Sequence, residues 1–348
     1  MHARSTFNFN RPFIAILITC LLSAVVLMGT LSCLSCDAPD QEGALVVYVY
    51  DSFASEWGPG PIVEEAFEKA TGLELELVAV GDGAQALARA IDEKARPKAD
   101  VLLGVDNHLL PKAVSADIFM PYRPENAALV PSDLVLDDQW RVTPFDWGSF
   151  AIIWDSERLA EPPRTLEDLT KPEYERSLIL MDPRTSTPGY GFLAWTKAVY
   201  GDDMPDYWRR LKPSILTLSP GWDTGYGLFT KGEAPLVISY TTSPAYHAEY
   251  ETAGRYQALI FPEGHPVQIE GAGILRGTSR PQAAKAFIDF MLSPEFQSAI
   301  PLSNWMYPIV ADTVLPASFE HAPKPTTNLL VDPAVLEGAE RSALDALN

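Results

Sequence analysis

ALVVYVY (residues 44–50), LELELVAV (73–80) and ADVLLG (99–104) are the three stretches of sequence that decide the fold. Each is a short, mainly apolar run of the kind that forms a buried strand. The segments between them begin at Pro61 and Ala84 and carry apolar residues at helical spacing. This alternation of strands and helices predicts a parallel sheet with its ligand-binding edge at the carboxyl ends of the strands.

A second run of alternating strands and helices follows in the middle of the chain. The predicted strands are 142–155, 177–182, 234–240 and those within 257–277. Helices are predicted from Pro188 and Pro244, because proline is favoured in the first turn of a helix. A last helical stretch, 279–300, is expected to break at Ser293–Pro294.

Two such runs predict an α/β protein of two lobes, with hinges near Pro144 and Phe261 and a ligand cleft between the lobes. The predicted boundaries are residues 44–144 plus 263–302 for lobe 1 and residues 145–262 plus 303–348 for lobe 2.

The first 36 residues resemble an export signal. Arg4 and Arg11 form a basic leader, residues 13–28 are almost wholly apolar, and small residues follow. A single membrane anchor is the alternative interpretation, although the apolar run is shorter than the roughly 20 residues that a span usually needs. The polar residues 37–43 are predicted to be a tether between the leader and the folded body.

All three cysteines, Cys20, Cys33 and Cys36, lie in this leader. Lipoprotein processing requires a small residue before the cysteine, and the serines before Cys33 and Cys36 both meet that requirement. We predict Cys33 as the lipidated residue, with Cys36 as the alternative, and hence a periplasmic, membrane-anchored protein. Disulfides and cysteine nucleophiles are excluded from the body, because it contains no cysteine.

The formal net charge of −20 argues against nucleic acid as a partner, since phosphates would be repelled. It favours a cationic ligand, although solubility alone is an equally simple reason for it. The five histidines show no metal-ligand spacing, and the chain has neither a G-x-S-x-G elbow nor a phosphate-binding loop of the G-x-x-x-x-G-K-[ST] type. We therefore predict neither a metal nor a cofactor.

Aromatic residues cluster beside turn-forming residues rather than inside periodic elements. Aromatic walls suit flat heterocycles and cations, and ordinary packing is expected for about a third of the set, Tyr190 and Tyr226 above all. The set comprises Tyr50, Phe53, Trp57, Tyr190, Trp222, Tyr226, Tyr240, Tyr246, Trp305 and Tyr307.

Polar groups follow several of the strands. DPRTSTPGYG (182–191) and YTTSPAYH (240–247) each place hydroxyl residues before a proline that starts a helix, and such a helix start can receive an anion. Asp51 and Asp82, after the first two strands, are the carboxylates best placed to meet a cation. Paired carboxylates also occur in glycosidases, but a loop aspartate is more often a turn former.

Six stretches together resemble the thiamine-binding periplasmic proteins of bacterial ABC importers, over about residues 45–340. The stretches are YDSFASEWGPGP (50–61), GDG (81–83), MDPRTSTPGYG (181–191), GW (221–222), SYTTSPAYH (239–247) and NWMYP (304–308). The resemblance implies the two-lobed type II periplasmic binding protein fold. It also implies a ligand that is thiamine, thiamine monophosphate or thiamine diphosphate, and a membrane permease as the partner.

The resemblance also implies which residues bind the ligand. In this family the flat rings would lie against Trp222 and Tyr240, an aspartate would face the cationic side, and the hydroxyl-capped helix starts would take a phosphate tail. The ligand contacts carried over are Asp82, Gly83, Ser186, Thr187, Trp222, Tyr240, Thr241, Thr242 and Ser243, with Tyr50, Trp57 and Trp305 as further aromatic positions.

Two other functions remain open on the same fold. Thiaminase I-like enzymes cleave thiamine with a cysteine nucleophile, which this chain lacks after Cys36. Ferric-ion carriers use paired tyrosines, and Tyr240 and Tyr246 are a pair separated by six residues. We predict a monomeric, non-enzymatic carrier.

Overall fold

The computed structural model describes residues 40, 42–251, 253–336 and 338–348. The predicted signal peptide, the predicted lipidation site Cys33 and most of the predicted tether lie outside these residues. The strands are β1 Leu45–Val49, β2 Leu75–Ala79, β3 Val101–Asp106, β4 Phe119–Met120, β5 Thr143–Asp155, β6 Leu178–Met181, β7 Ile215–Ser219, β8 Leu236–Tyr240, β9 Tyr256–Leu259, β10 His265–Leu275, β11 Tyr307–Pro308 and β12 Asn328–Leu329.

The α-helices of the described residues are connected by loops and short 3₁₀ turns. They are α1 Asp51–Ala54, α2 Gly60–Thr71, α3 Gly83–Asp92, α4 Leu110–Ser115, α5 Thr187–Tyr200, α6 Met204–Leu211, α7 Trp222–Thr230, α8 Ser243–Tyr250, α9 Pro281–Phe290, α10 Pro294–Ser303 and α11 Ala339–Leu347.

The three predicted N-terminal strands form a parallel sheet. β1 lies in the middle and pairs in parallel with both β2 and β3. Its alternate side chains enter two different cores: Leu45, Val47 and Val49 face one cluster, and Tyr48 faces another. A strand that is buried on both faces needs apolar residues at nearly every position, which explains the run at 44–50.

Local signals fixed several helix ends as the sequence predicts. α2 ends at Gly72, whose φ of 72° is the left-handed conformation that glycine adopts readily. α10 begins after Ser293, whose hydroxyl accepts a hydrogen bond from the N–H of Phe296. The turn-forming residues of DSFASEWGPG (51–60) predict a loop after β1, and this prediction is wrong at its start, because α1 forms there. α1 places Phe53 in the core, in edge contact with Tyr50 at 5.6 Å between ring centroids.

Two long strands join the N-terminal sheet to the second run of strands. β10 is antiparallel to both β3 and β5. β5 pairs with β10 over 143–149 and then with β8 over 150–154. β6 and β7 complete the order β2-β1-β3-β10-β5-β8-β6-β7. The carboxyl ends of β1, β2, β6 and β8 are followed by α1, α3, α5 and α8, and these junctions carry most of the predicted site residues.

Candidate functional site

A cavity of about 780 Å³ lies where these strand-to-helix junctions meet. Its lining includes eight of the twelve predicted ligand contacts, namely Tyr50, Trp57, Asp82, Thr187, Trp222, Tyr240, Ser243 and Trp305. The other four, Gly83, Ser186, Thr241 and Thr242, are buried behind the lining. The structure thus brings residues from six separate parts of the chain to one site.

Two groups of aromatic rings line the cavity. Trp222 stacks on Tyr226 with 4.9 Å between centroids and 17° between planes, and Trp57 lies 6.3 Å from Trp222. In the second group, Trp305 meets Tyr246 edge-on at 5.4 Å between ring centroids. Tyr226 therefore both packs in the core and lines the cavity, whereas Phe53, Tyr190 and Tyr307 do not line it. Aromatic rings that line a cavity suit a flat, aromatic or cationic ligand.

Tyr240 also lines the cavity. Its ring stacks on Phe150 at 5.1 Å, and its hydroxyl donates a hydrogen bond to Oε1 of Gln268 at 2.9 Å. Burial, and then the nearby charge of Glu270, raises its pKa well above the ordinary value. Tyr240 is therefore a neutral phenol at physiological pH.

The carboxylate of Asp82 sits at the starts of three helices. Oδ1 accepts the N–H of Gly83 at 2.7 Å, and Oδ2 accepts the hydroxyl of Ser186 at 2.7 Å and the N–H of Trp222 at 3.2 Å. Burial raises the pKa of Asp82, and these hydrogen bonds oppose that shift. A carboxylate thus occupies the anion-accepting position that the sequence predicts at the start of α5.

The position of Gly83 leaves no room for a side chain. A Cβ at this position would lie 2.7 Å from the carbonyl oxygen of Gly104 and 2.7 Å from the hydroxyl of Thr187. Glycine therefore lets α3 and α5 approach each other closely.

Two hydroxyls of the predicted set face the cavity. That of Thr187 is buried without a hydrogen-bond partner in the described part of the chain, so it is available to a ligand. That of Ser243 lies 2.9 Å from the hydroxyl of Ser239, which also accepts the indole N–H of Trp222. The start of α8 therefore holds Trp222 in place.

A buried acidic group that lines the cavity was not predicted from the sequence. Glu270 on β10 lines the cavity and accepts a hydrogen bond from the hydroxyl of Tyr50 at 3.1 Å. Asp146 on β5 is its cross-strand neighbour and accepts from Nδ2 of Asn304 at 2.6 Å. An acidic residue inside the fully buried strand HPVQIEGAGIL was the available signal, because glutamate is rarely buried without a partner.

A second missed carboxylate, Asp223, lies in the first turn of α7. Burial, followed by the charges of Asp51 and Asp82, raises its pKa to about 6. Asp51 is exposed, accepts the N–H of Gly81 at 2.9 Å, and lines a neighbouring cavity of about 90 Å³ rather than the large one. Of the two aspartates singled out after the first strands, Asp82 alone reaches the large cavity.

The described residues contain no group of three or more metal-ligating side chains placed to hold a metal ion. Within the same residues, no helix has the length and apolar character that a membrane span requires.

Residues 96–332 match the family described as bacterial extracellular solute-binding protein. The thiamine-binding periplasmic protein of Salmonella typhimurium is 46% identical over 312 residues, which cover 89% of this chain and 94% of that protein. The solved structure of a periplasmic thiamin binding protein has 43% identity and a TM-score of 0.84, and the match covers 89% of this chain and 99% of that one. A ferric binding protein from Campylobacter jejuni has a TM-score of 0.71 at 18% identity, covers 87% of this chain and 98% of its own, and shows the fold alone.

The chain belongs to the bacterial extracellular solute-binding protein family. Within that family it is similar to periplasmic proteins whose names state that they bind thiamine. The predicted type II periplasmic binding protein fold is confirmed. The prediction of a solute-binding transport component rather than an enzyme is confirmed by these relatives, which also indicate a periplasmic location.

Proposed function

We propose that the protein captures thiamine in the periplasm and delivers it to the membrane permease of an ABC importer. The observation that carries this proposal is the chemistry of the cavity. Its walls are aromatic, and the charged residues among the described residues that line it, Asp82, Asp223, Glu251 and Glu270, are all acidic. A flat cation satisfies both properties, through stacking and cation–π attraction on the rings and through the acidic field.

The proposed contacts follow from the positions of the lining residues. The rings of thiamine lie between Trp222 and Trp305, close to Tyr240. Phosphate groups are commonly bound by helix starts and hydroxyl groups. The cavity offers both, at the start of α8 at Ser243 and at the Thr187 hydroxyl, which has no hydrogen-bond partner in the described part of the chain. We therefore include thiamine monophosphate and thiamine diphosphate among the ligands.

Two lobes that close on the ligand complete the proposal. One lobe comprises residues 44–144 and 263–302, and the other comprises 145–262 and 303–348. The change of pairing partner along β5 supports a hinge in that strand. Small-angle scattering should show a smaller radius of gyration when thiamine saturates the protein. An unchanged radius would contradict closure.

The mature protein is proposed to be a monomer anchored to the membrane by a lipid on Cys33. Mass spectrometry of protein purified from membranes should find the lipid on the N-terminal peptide, and Cys33→Ser should release a soluble protein. Lipid retained in that variant would assign the modification to Cys36 instead.

Calorimetric titration of the leader-free protein tests the central claim. Thiamine, its two phosphate esters and ferric citrate are titrated separately, and heat is expected for the thiamine forms alone. Incubation of thiamine with the protein and an added nucleophile, followed by chromatography, should leave the vitamin intact. Absence of heat with all three thiamine forms would refute the proposed function.

A further inference from the structure

Three acidic residues stand side by side on three adjacent strands. Glu270 on β10 is paired in register with Asp106 on β3 and with Asp146 on β5. All three are at least 94% buried, since Glu270 is the most exposed at 6%. Neighbouring acidic groups on one sheet repel one another when ionised, so an arrangement of this kind needs a compensating charge or protons.

The three carboxyl groups differ in the hydrogen bonds that they accept. Asp106 accepts the N–H groups of His108 and Leu109 and lies 3.2 Å from Nδ1 of His108. Asp146 accepts from Asn304, but its Oδ1 has no hydrogen-bond partner in the described part of the chain. Glu270 accepts a hydrogen bond from the Tyr50 hydroxyl and lines the cavity.

No lysine or arginine among the described residues forms an ion pair with Asp146 or Glu270. Burial raises the pKa of Asp146 to about 8. Burial, and then the charge of Asp146, raises the pKa of Glu270 well above its ordinary value. The pair therefore holds protons near neutral pH while no cation is present.

The other groups that act on Glu270 are also acidic or neutral. Asp106 and, at longer range, Asp82 add negative charge, while the phenols of Tyr50 and Tyr240 contribute no positive charge. A positive charge brought by a ligand is therefore the compensation that this site lacks.

We propose that Glu270 is the residue that selects a positively charged ligand: it is neutral in the empty cavity and ionises when the cation binds. The inference rests on the proposed function and deepens it. In the binding step the Glu270 carboxyl gives its proton to solvent. The positive charge of the ligand then balances the negative charge of the Glu270 carboxylate. Affinity for a cation should therefore rise with pH, because binding releases a proton.

The test compares two ligands that differ in charge. Thiamine carries a thiazolium cation, and 3-deazathiamine has a neutral thiophene in its place. Glu270→Gln keeps the shape and an acceptor for the Tyr50 hydroxyl but cannot ionise. Glu65→Gln is the matched control, since it removes the same charge from an exposed glutamate of α2 that does not line the cavity. Melting temperatures confirm that both variants fold.

The expected result is that Glu270→Gln weakens the affinity for thiamine by about tenfold or more and leaves the affinity for the neutral analogue within about twofold. Glu65→Gln should change neither affinity by more than about threefold, because salt screens an exposed charge outside the cavity. Equal loss for both ligands would show that Glu270 acts through a hydrogen bond or through shape, and no loss would remove it from the site. Either outcome overturns the inference.

A measurement on the unmodified protein gives independent evidence if Glu270→Gln does not fold. Titrations with thiamine at pH 7 in two buffers of different ionisation enthalpy report the protons released. Between about half a proton and one proton per thiamine is expected, and none is expected for the neutral analogue. Thiamine binding without proton release overturns this inference alone, whereas absence of thiamine binding overturns the proposed function.

Discussion

The carboxylate of Asp82 lies 2.7 Å from the hydroxyl of Ser186, a residue 104 positions further along the chain. The same carboxylate accepts the N–H of Trp222 at 3.2 Å. One side chain at the start of α3 thereby connects the N-terminal run of strands and helices to the starts of α5 and α7. It fixes the position of Trp222 in the cavity wall and replaces an external anion at the helix starts.

This relationship makes a direct prediction about stability. Asp82→Ala and Ser186→Ala should each lower the free energy of unfolding, because each leaves buried hydrogen-bonding groups without partners. A double-mutant cycle measured by urea denaturation should give a coupling energy of about 0.5–3 kcal/mol. The control Asp92→Ala removes an exposed aspartate of the same helix and should change stability by less than about 0.5 kcal/mol. Additive effects of the two substitutions would show that the contact is not formed in solution.

The stability of the empty protein should fall as the pH rises, owing to Asp146. Its pKa is about 8 in the folded protein, above the roughly 3.9 of an unfolded chain, so the folded state binds the proton more tightly. This contribution is complete below about pH 4 and is lost as the pH rises toward 8.

Asp146→Asn is the corresponding substitution, because asparagine keeps an acceptor for Asn304 and has no proton to lose. The variant should gain stability relative to the wild type between pH 5.5 and pH 8, as measured by urea unfolding at both values. Parallel changes in the two proteins would exclude Asp146 as the source of the pH dependence.

Trp222→Ala should weaken thiamine binding by about 1–3 kcal/mol, because both stacking and cation–π attraction are lost. The matched control is Trp154→Ala, which removes a half-buried tryptophan of β5 whose indole N–H bonds the carbonyl of Leu159 at 2.7 Å, outside the cavity lining. Calorimetric titration of both variants provides the comparison. An unchanged dissociation constant in Trp222→Ala would remove this ring from the site.

Tyr240→Phe separates the two ligand classes that the sequence leaves open. The ring remains able to stack on Phe150, so thiamine affinity should change by less than about threefold, while loss of the hydrogen bond to Gln268 should lower stability by about 1 kcal/mol. A ferric carrier would depend on the phenolate, and the variant would then lose its visible iron–tyrosinate absorption band. Strong binding of iron by the wild type and its loss in Tyr240→Phe would favour the ferric alternative.

Local sequence signals were sufficient for most elements of the fold. The apolar run at 44–50 predicts β1, Gly72 predicts the end of α2, and Pro188 predicts the start of α5, because each depends on the preferences of a few neighbouring residues. The short helix α1 was missed. Its formation depends on Phe53 entering a core built partly from Phe145 and Phe296, which are remote in sequence.

The sequence by itself determined the order of strands and helices, the acidic and aromatic character of the chain, and the hydroxyl-rich segments before the helices. Only the tertiary structure decided that the Asp82 carboxylate occupies the start of α5 and that Glu270 stands between Asp106 and Asp146. The physical reason is range. Backbone preferences act over a few residues, whereas the register of paired strands sets which side chains from distant segments meet in a buried site and which of them keep a proton there.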